Sequence, residues 1–273
     1  MITRYRGYLL DMDGTIRRGG RALPGARELI TALHAWDKAV LVMSNNPLRS
    51  AEQHRRDLAR SGLELAGDEI FTSVSALLAH LERQPVNGAL FALGERPLTD
   101  ALAAAGHRLS DRPDEVGCVL AAFDRTFDYR KWTIAHRAIV AGARFIATNP
   151  DATYPTEHGE IPDCAGIIAA LEASTGTRVQ AVLGKPSKDF LEAALAKLGT
   201  PAQDTLVVGD RLDTDMAMAL SGGLSAALVL SGVTTRADLA RSRIRPTYVL
   251  DGVGELLGRD AGAALRPPDE PTC

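Results

Sequence analysis

Cysteine is scarce: the 273 residues contain three, Cys118, Cys164 and Cys273. They are too few and too scattered for a disulfide framework or a zinc site, so they read as packing or tail thiols in a reducing compartment. An excess of one charge is also missing, since the formal net charge is -3; a nucleic-acid polymer is therefore not an expected partner. No uninterrupted apolar run approaches the ~18 residues that a membrane span needs. The N-terminal stretch MITRYRGYLL lacks the apolar segment of a signal peptide. No membrane partner is expected, and the expected location is the cytoplasm. No internal repeat is present. What remains is an ordinary globular composition, 45% hydrophobic and 24% charged, with length for one large domain or two modest ones.

Short apolar runs ending in small or polar residues recur: GYLLDMDGT, AVLVMSNN, TLVVGD and LSAALVLSG. Runs this short and this apolar suit parallel strands covered on both faces, with function at their carboxyl ends. Between them lie helical patterns such as PGARELITALHAW and PSKDFLEAALAKLG, where apolar residues return at three and four and glycine supplies a stop. The alternation predicts a doubly wound α/β domain with a parallel sheet. A second set of α/β elements follows the turn signal Gln84-Pro85-Val86-Asn87-Gly88 and ends near Gly176. This predicts a smaller inserted α/β domain over residues 82-180, within a core built from 1-81 and 181-260. The proline-rich, charged stretch 261-273 reads as a flexible tail.

Two aspartates one residue apart, Asp11 and Asp13 in YLLDMDGT, carry the first chemical signal. Like charges that close need a cation, a shared proton or a division of labour. Ser44 with Asn45, Lys185, and Asp210 with Asp215 also stand after apolar runs, and in an open α/β sheet such strand ends converge on one crevice. Several carboxylates around one crevice call for a cation, and an oxygen-only donor set suits Mg²⁺, which shares its coordination with substrate phosphate. No histidine or cysteine stands near these motifs. Lys185 is a compact charge able to offset both carboxylate and phosphate, while Ser44, with Asn45 beside it, is placed to hold the phosphoryl oxygens. The division of labour then reads as Asp11 attacking phosphorus to form an aspartyl-phosphate, and Asp13 protonating the leaving alcohol and later deprotonating water.

In this order and context, DMDGT, SNN, GKP and GDRLDTD resemble the motifs of the haloacid dehalogenase-like phosphatases, over nearly the whole chain. Asp11 and Ser44 are 33 residues apart and Ser44 and Lys185 are 141 apart, so the cap domain falls in the second gap, as in the C2 type. FDRTFDYRKW, FIATNPD and GKPS are similar to its NagD-like and para-nitrophenylphosphatase-like branch. The resemblance implies a Rossmann-like core and Mg²⁺-dependent hydrolysis of small phosphomonoesters: nucleotide, sugar, glycolate or glycerol phosphates. It also implies metal binding by the side chains of Asp11 and Asp210 and by the backbone carbonyl of Asp13, with Asp215 supporting them. Caps in this branch contribute to dimers, so a homodimer through the cap is an expectation. The segment IPDCAGII departs from the Gly-rich segment expected before the last cap helix.

Other readings stand beside these. The same fold could serve a phosphotransferase, or a phosphate-binding regulatory module without turnover. Asp213 fits either a functional role or a helix N-cap. Asp124, Asn149 and Asp151, at the ends of the inserted domain's strands, fit either substrate selection or turn formation. The six histidines are scattered over helices and loops, and none is expected to be catalytic.

Overall fold

The computed structural model describes residues 4–156 and 158–258. The tail 261-273, with Cys273, lies outside them. The described residues divide into two compact units: 4–44, 55–70 and 194–258 form the first, and 45–54, 71–156 and 158–193 form the second. No helix among the described residues is long and apolar enough to cross a membrane.

The sheet of the first unit runs Tyr248–Leu250, Ser225–Val229, Thr205–Gly209, Gly7–Asp11, Ala39–Ser44, Ile70–Thr72. Its first five strands pair in parallel. Every residue of Gly7–Asp11 and of Thr205–Gly209 is buried, as expected of strands covered on both faces. The chain starts in the middle of the sheet, fills one side, and then returns to fill the other. The switch of direction falls between Gly7–Asp11 and Thr205–Gly209; in open α/β sheets ligands bind beyond the carboxyl ends at such a point. Helix Ala26–Ala35 buries Ala26, Leu29, Ile30 and Leu33, one face of a helical period. Gly25 precedes it at φ 80°, where an added Cβ would strike Gly254.

The second unit carries a four-stranded parallel sheet in the order Ala181–Val182, Arg144–Ala147, Val116–Ala121, Ala89–Leu93. Phe91, Val119, Phe145, Ile134, Ile168 and Leu171 share its core with helices Tyr129–Val140 and Cys164–Thr175. Cys118 and Cys164 are buried here, and burial pushes the Cys118 thiol up to about 12. This unit reaches beyond residues 82-180 in both directions. Helix Ser73–Arg83 and the start of helix Lys188–Leu198 join it through Phe71 against Phe190, with ring centroids 5.1 Å apart, and through His80 against Asp189 at 3.1 Å.

One sequence expectation is corrected. The run before Lys185 reads like the other core strands, yet Ala181–Val182 pairs with Ile146 and Ala147 in the four-stranded sheet. A half-buried run of two residues has no period that distinguishes one sheet from another; long-range pairing decides.

Candidate active site

Asp11 ends its strand at the switch point, buried, and Thr15 donates its hydroxyl to Asp11 Oδ2 at 3.2 Å. Asp210 follows the neighbouring strand Thr205–Gly209 and is wholly buried. The backbone N–H of Val233 donates to Asp210 Oδ2 at 2.6 Å. Asp215 stands on a single π-helical turn, Leu212–Met216, that runs into helix Ala217–Ser221. Such turns redirect side chains and recur at functional sites. Asp215 Oδ2 accepts from the backbone N–H of Arg211 at 3.3 Å and from the Thr214 hydroxyl at 3.4 Å.

These three carboxylates each offer one oxygen within 4.8 Å of the others. Glycines make room for the gathering. A Cβ at Gly14, which sits at φ 91°, or at Gly232 would collide with the Asp210 carboxylate, and one at Gly209 would collide with Asp215. Three buried carboxylates at this spacing repel strongly in a medium of low polarity, and a cation among them offsets that repulsion. The donor set is oxygen only, which fits a hard divalent cation. Sequence reasoning gave Asp215 a supporting position; the fold makes it a full member of the carboxylate cluster. The turn that carries it leaves no signature in LDTDM.

Asp13 stands outside that cluster. Its carboxyl is bound by Arg17, Nε to Oδ1 at 2.9 Å and Nη2 to Oδ2 at 3.4 Å. Its expected contribution to the metal is its backbone carbonyl, which this pairing leaves aside. Ser44 is buried at the end of strand Ala39–Ser44. Asp213 is exposed and pairs with Arg211 at 3.4 Å.

The remaining expected residues assemble within the second unit. Asn45, next in the chain after Ser44, clasps the backbone of Lys185. Its Oδ1 accepts from the Lys185 N–H at 2.8 Å, and its Nδ2 donates to the Lys185 carbonyl at 3.1 Å. The same Nδ2 donates to Asp151 Oδ2 at 2.9 Å, and Asn149 Nδ2 donates to that oxygen at 3.0 Å. Gly184 is required here, because a Cβ would lie 2.6 Å from the Thr148 carbonyl and 2.7 Å from Asn45 Oδ1. The Lys185-Pro186 bond is cis. Asn149 Nδ2 also reaches Asp163 Oδ1 at 3.2 Å, and Asp163 caps helix Cys164–Thr175 through the Cys164 N–H. Asp163 lies in IPDCAGII, the segment that departs from the expected Gly-rich pattern. Its position before a helical run was the available signal for a cap.

Asp124 answers to its loop. Its side chain is fully buried; Oδ1 accepts from the Thr126 N–H at 2.9 Å and hydroxyl at 2.6 Å, and Oδ2 from Lys131 Nζ at 2.7 Å. That geometry belongs to the turn-forming reading of the residue.

A family model described as haloacid dehalogenase-like hydrolase matches residues 8–108, and one described as HAD-hydrolase-like matches residues 182–256. The chain is 35% identical over 249 residues to a dihydroxyacetone phosphatase of Corynebacterium glutamicum, covering 91% of this chain and 90% of that protein. It is 34% identical over 250 residues to the sugar-phosphatase AraL of Bacillus subtilis, covering 92% and 91%. Among solved structures, a 4-nitrophenylphosphatase of Thermotoga maritima superposes with a TM-score of 0.90 at 31% identity, over 94% of this chain and 98% of that one. NagD of E. coli superposes with a TM-score of 0.84 at 28% identity, over 92% and 98%. With these likenesses added to the clustered carboxylates at the switch point, the chain belongs to the haloacid dehalogenase-like hydrolases and is a phosphatase of their NagD-like branch.

Proposed function

We propose that this phosphatase hydrolyses small phosphomonoesters with Mg²⁺, through an aspartyl-phosphate on Asp11. The observation that carries the reading is the convergence of Asp11, Asp210 and Asp215 within 4.8 Å beyond the carboxyl ends of adjacent strands. Their side chains, with the Asp13 carbonyl, are the proposed metal ligands. When bound, Mg²⁺ supplies positive charge that offsets both the carboxylates and the phosphoryl oxygens.

An Asp11 carboxylate oxygen attacks phosphorus while the bond from phosphorus to the ester oxygen breaks. The leaving oxygen takes a proton from Asp13 and departs as the alcohol. Water then attacks the phosphoryl group, gives a proton to Asp13, and releases inorganic phosphate with Asp11 restored. The Ser44 hydroxyl and the backbone N–H of Asn45 are the proposed phosphoryl-oxygen contacts, since the Asn45 side chain is taken up by Lys185 and Asp151, and Lys185 is the charge that favours the phosphate. The Asn45 clasp on the Lys185 backbone supports this assignment, because it fixes the lysine's main chain. Residues 82-180 are the proposed cap that selects the rest of the substrate, and the cap is the proposed dimer contact. Asn149 and Asp151 act through Asn45 as positioning residues.

The relatives' names span a dihydroxyacetone phosphatase, sugar phosphatases and a 5'-nucleotidase, so a panel of sugar, glycerol, glycolate and nucleotide phosphates is the substrate test. The mechanism is tested with 4-nitrophenyl phosphate, with and without Mg²⁺, in the native protein and in Asp11→Asn. Turnover that ignores Mg²⁺, or survives in folded Asp11→Asn, would defeat the reading. Transfer to an added sugar in place of water would make the protein a phosphotransferase.

A further inference from the structure

The residue that holds Asp13 has no role in the mechanism above. Arg17 belongs to a two-residue strand, Arg17–Arg18, paired with Arg21–Ala22. Alternation along it sends Arg17 inward and Arg18 out to solvent. The Arg17 side chain is 9% exposed and the Asp13 side chain 38%. A buried guanidinium is costly without an acceptor, so this pair is bound firmly.

The loop does not need the side chain for its shape. The Gly14 N–H donates to the Arg17 carbonyl at 2.7 Å, and the N–H groups of Ile16 and Arg17 donate to the Met12 carbonyl at 3.1 Å and 3.0 Å. The Ser231 hydroxyl donates to the Gly14 carbonyl at 2.8 Å. Backbone bonds therefore close the turn, and the guanidinium is spent on one carboxyl. Its grip is unequal. Nε is close to Oδ1 at 2.9 Å, while Nη2 is 3.4 Å from Oδ2. One oxygen is tethered and the other is loosely held.

We propose that Arg17 is a positioning residue for proton transfer, fixing the Asp13 carboxyl through Oδ1 so that Oδ2 delivers the proton to the leaving oxygen and later receives one from water. The proposal rests on Asp13 being the acid and base described above. A half-exposed carboxyl without a tether samples several rotamers, and displacement by about 1 Å is enough to slow a proton transfer on the order of a hundredfold.

Arg17→Met keeps the stem and removes the fork. Turnover is measured for an alkyl phosphate and for 4-nitrophenyl phosphate, whose leaving group needs little acid, in the native protein, Arg17→Met, Asp13→Asn and the double variant. Single-turnover phosphorylation of Asp11 is followed alongside. For the alkyl phosphate, kcat in Arg17→Met is expected to fall about tenfold or more, with KM held within about twofold. The loss for 4-nitrophenyl phosphate should be much smaller, and the double variant no slower than Asp13→Asn. Thermal melting of the metal-free proteins reports folding apart from activity. If Arg17→Met loses its melting transition, Arg17→Lys, which keeps the charge and one donor, carries the same comparison and should show a smaller, still substrate-dependent loss.

Equal loss for both substrates with losses that add in the double variant would make Arg17 merely structural and overturn the proposal. A faster Arg17→Met would make the pair a brake and overturn it too. If Asp13→Asn itself shows no dependence on the leaving group, the acid assignment falls and takes the proposal with it, a result distinct from failure of Arg17 alone.

Discussion

The two units use their buried carboxylates differently. In the first, Asp11, Asp210 and Asp215 each accept from a neighbouring donor and still bring one oxygen apiece within 4.8 Å of the others. In the second, each buried carboxylate faces donors that belong to the scaffold: Asp163 meets Asn149 and the Cys164 N–H, and Asp124 meets Thr126 and Lys131. The half-buried Asp151 likewise meets two asparagine amides. Carboxylates gathered against their own repulsion could hold a cation, the role proposed for them above. Carboxylates shared out among amides and a lysine hold loops in place.

That contrast breaks first, and hardest, at Asp11. Asp11→Asn keeps the shape of the side chain and removes the proposed nucleophile, so turnover should fall by a factor on the order of 10³ or more, with the melting temperature preserved. An active, folded variant would erase the distinction between the units. Next come the other two members of the cluster. Asp210→Asn and Asp215→Asn should move the Mg²⁺ dependence of the rate to higher concentration, by about tenfold or more. If Asp215→Asn alone left the titration in place, Asp215 would return to a supporting role.

In the second unit the same kind of substitution should act on stability. Asp124→Ala removes the carboxylate that accepts from the Lys131 ammonium and from the Thr126 N–H and hydroxyl, and should cost about 1–3 kcal/mol in chemical denaturation. The ranking of kcat/KM over the substrate panel should stay as it is; a changed ranking would show that Asp124 touches substrate after all.

The smallest effect sharpens the comparison through pH. His80 Nδ1 is 3.1 Å from Asp189 Oδ2 and its Nε2 is 3.1 Å from Arg144 Nη2. Arginine only donates, so Nε2 accepts and the proton sits on Nδ1, giving a neutral ring. Burial holds the His80 pKa below its ordinary value, against the opposing pull of Asp189. The unfolded chain therefore takes up a proton that the folded chain refuses. The stability held by neutral His80 is complete above the unfolded value of about 6.5 and declines as pH falls below it. Native and His80→Gln proteins, compared by denaturation between pH 7.5 and about 5, should differ in slope. Parallel curves would remove His80 as the source.

Much of the first unit was legible because its signals are local. GYLLD, AVLVMS and TLVVG are strands, as their apolar runs require, and Asp11 and Asp210 fall at their ends. The second unit was legible as a second set of α/β elements for the same reason, and it carries strands such as Arg144–Ala147 and helices such as Tyr129–Val140. What was missed depends on folded contacts: the hairpin turns Arg17 inward onto Asp13, four residues away, and Asn149 meets Asp163, 14 residues away.

The sequence by itself determined the chemistry available: a pair of aspartates after a buried strand, a lysine and further aspartates in order, and an insertion in one particular gap. Those are properties of residue type and of short-range period. The tertiary structure alone decided which sheet receives Ala181–Val182, that Asp215 joins Asp11 and Asp210, and that Arg17 holds Asp13. Each of these depends on parallel pairing and burial between segments distant in the chain or on the path of a tight turn. Such contacts are selected by the total free energy of packing and not by any pattern within a window of a dozen residues.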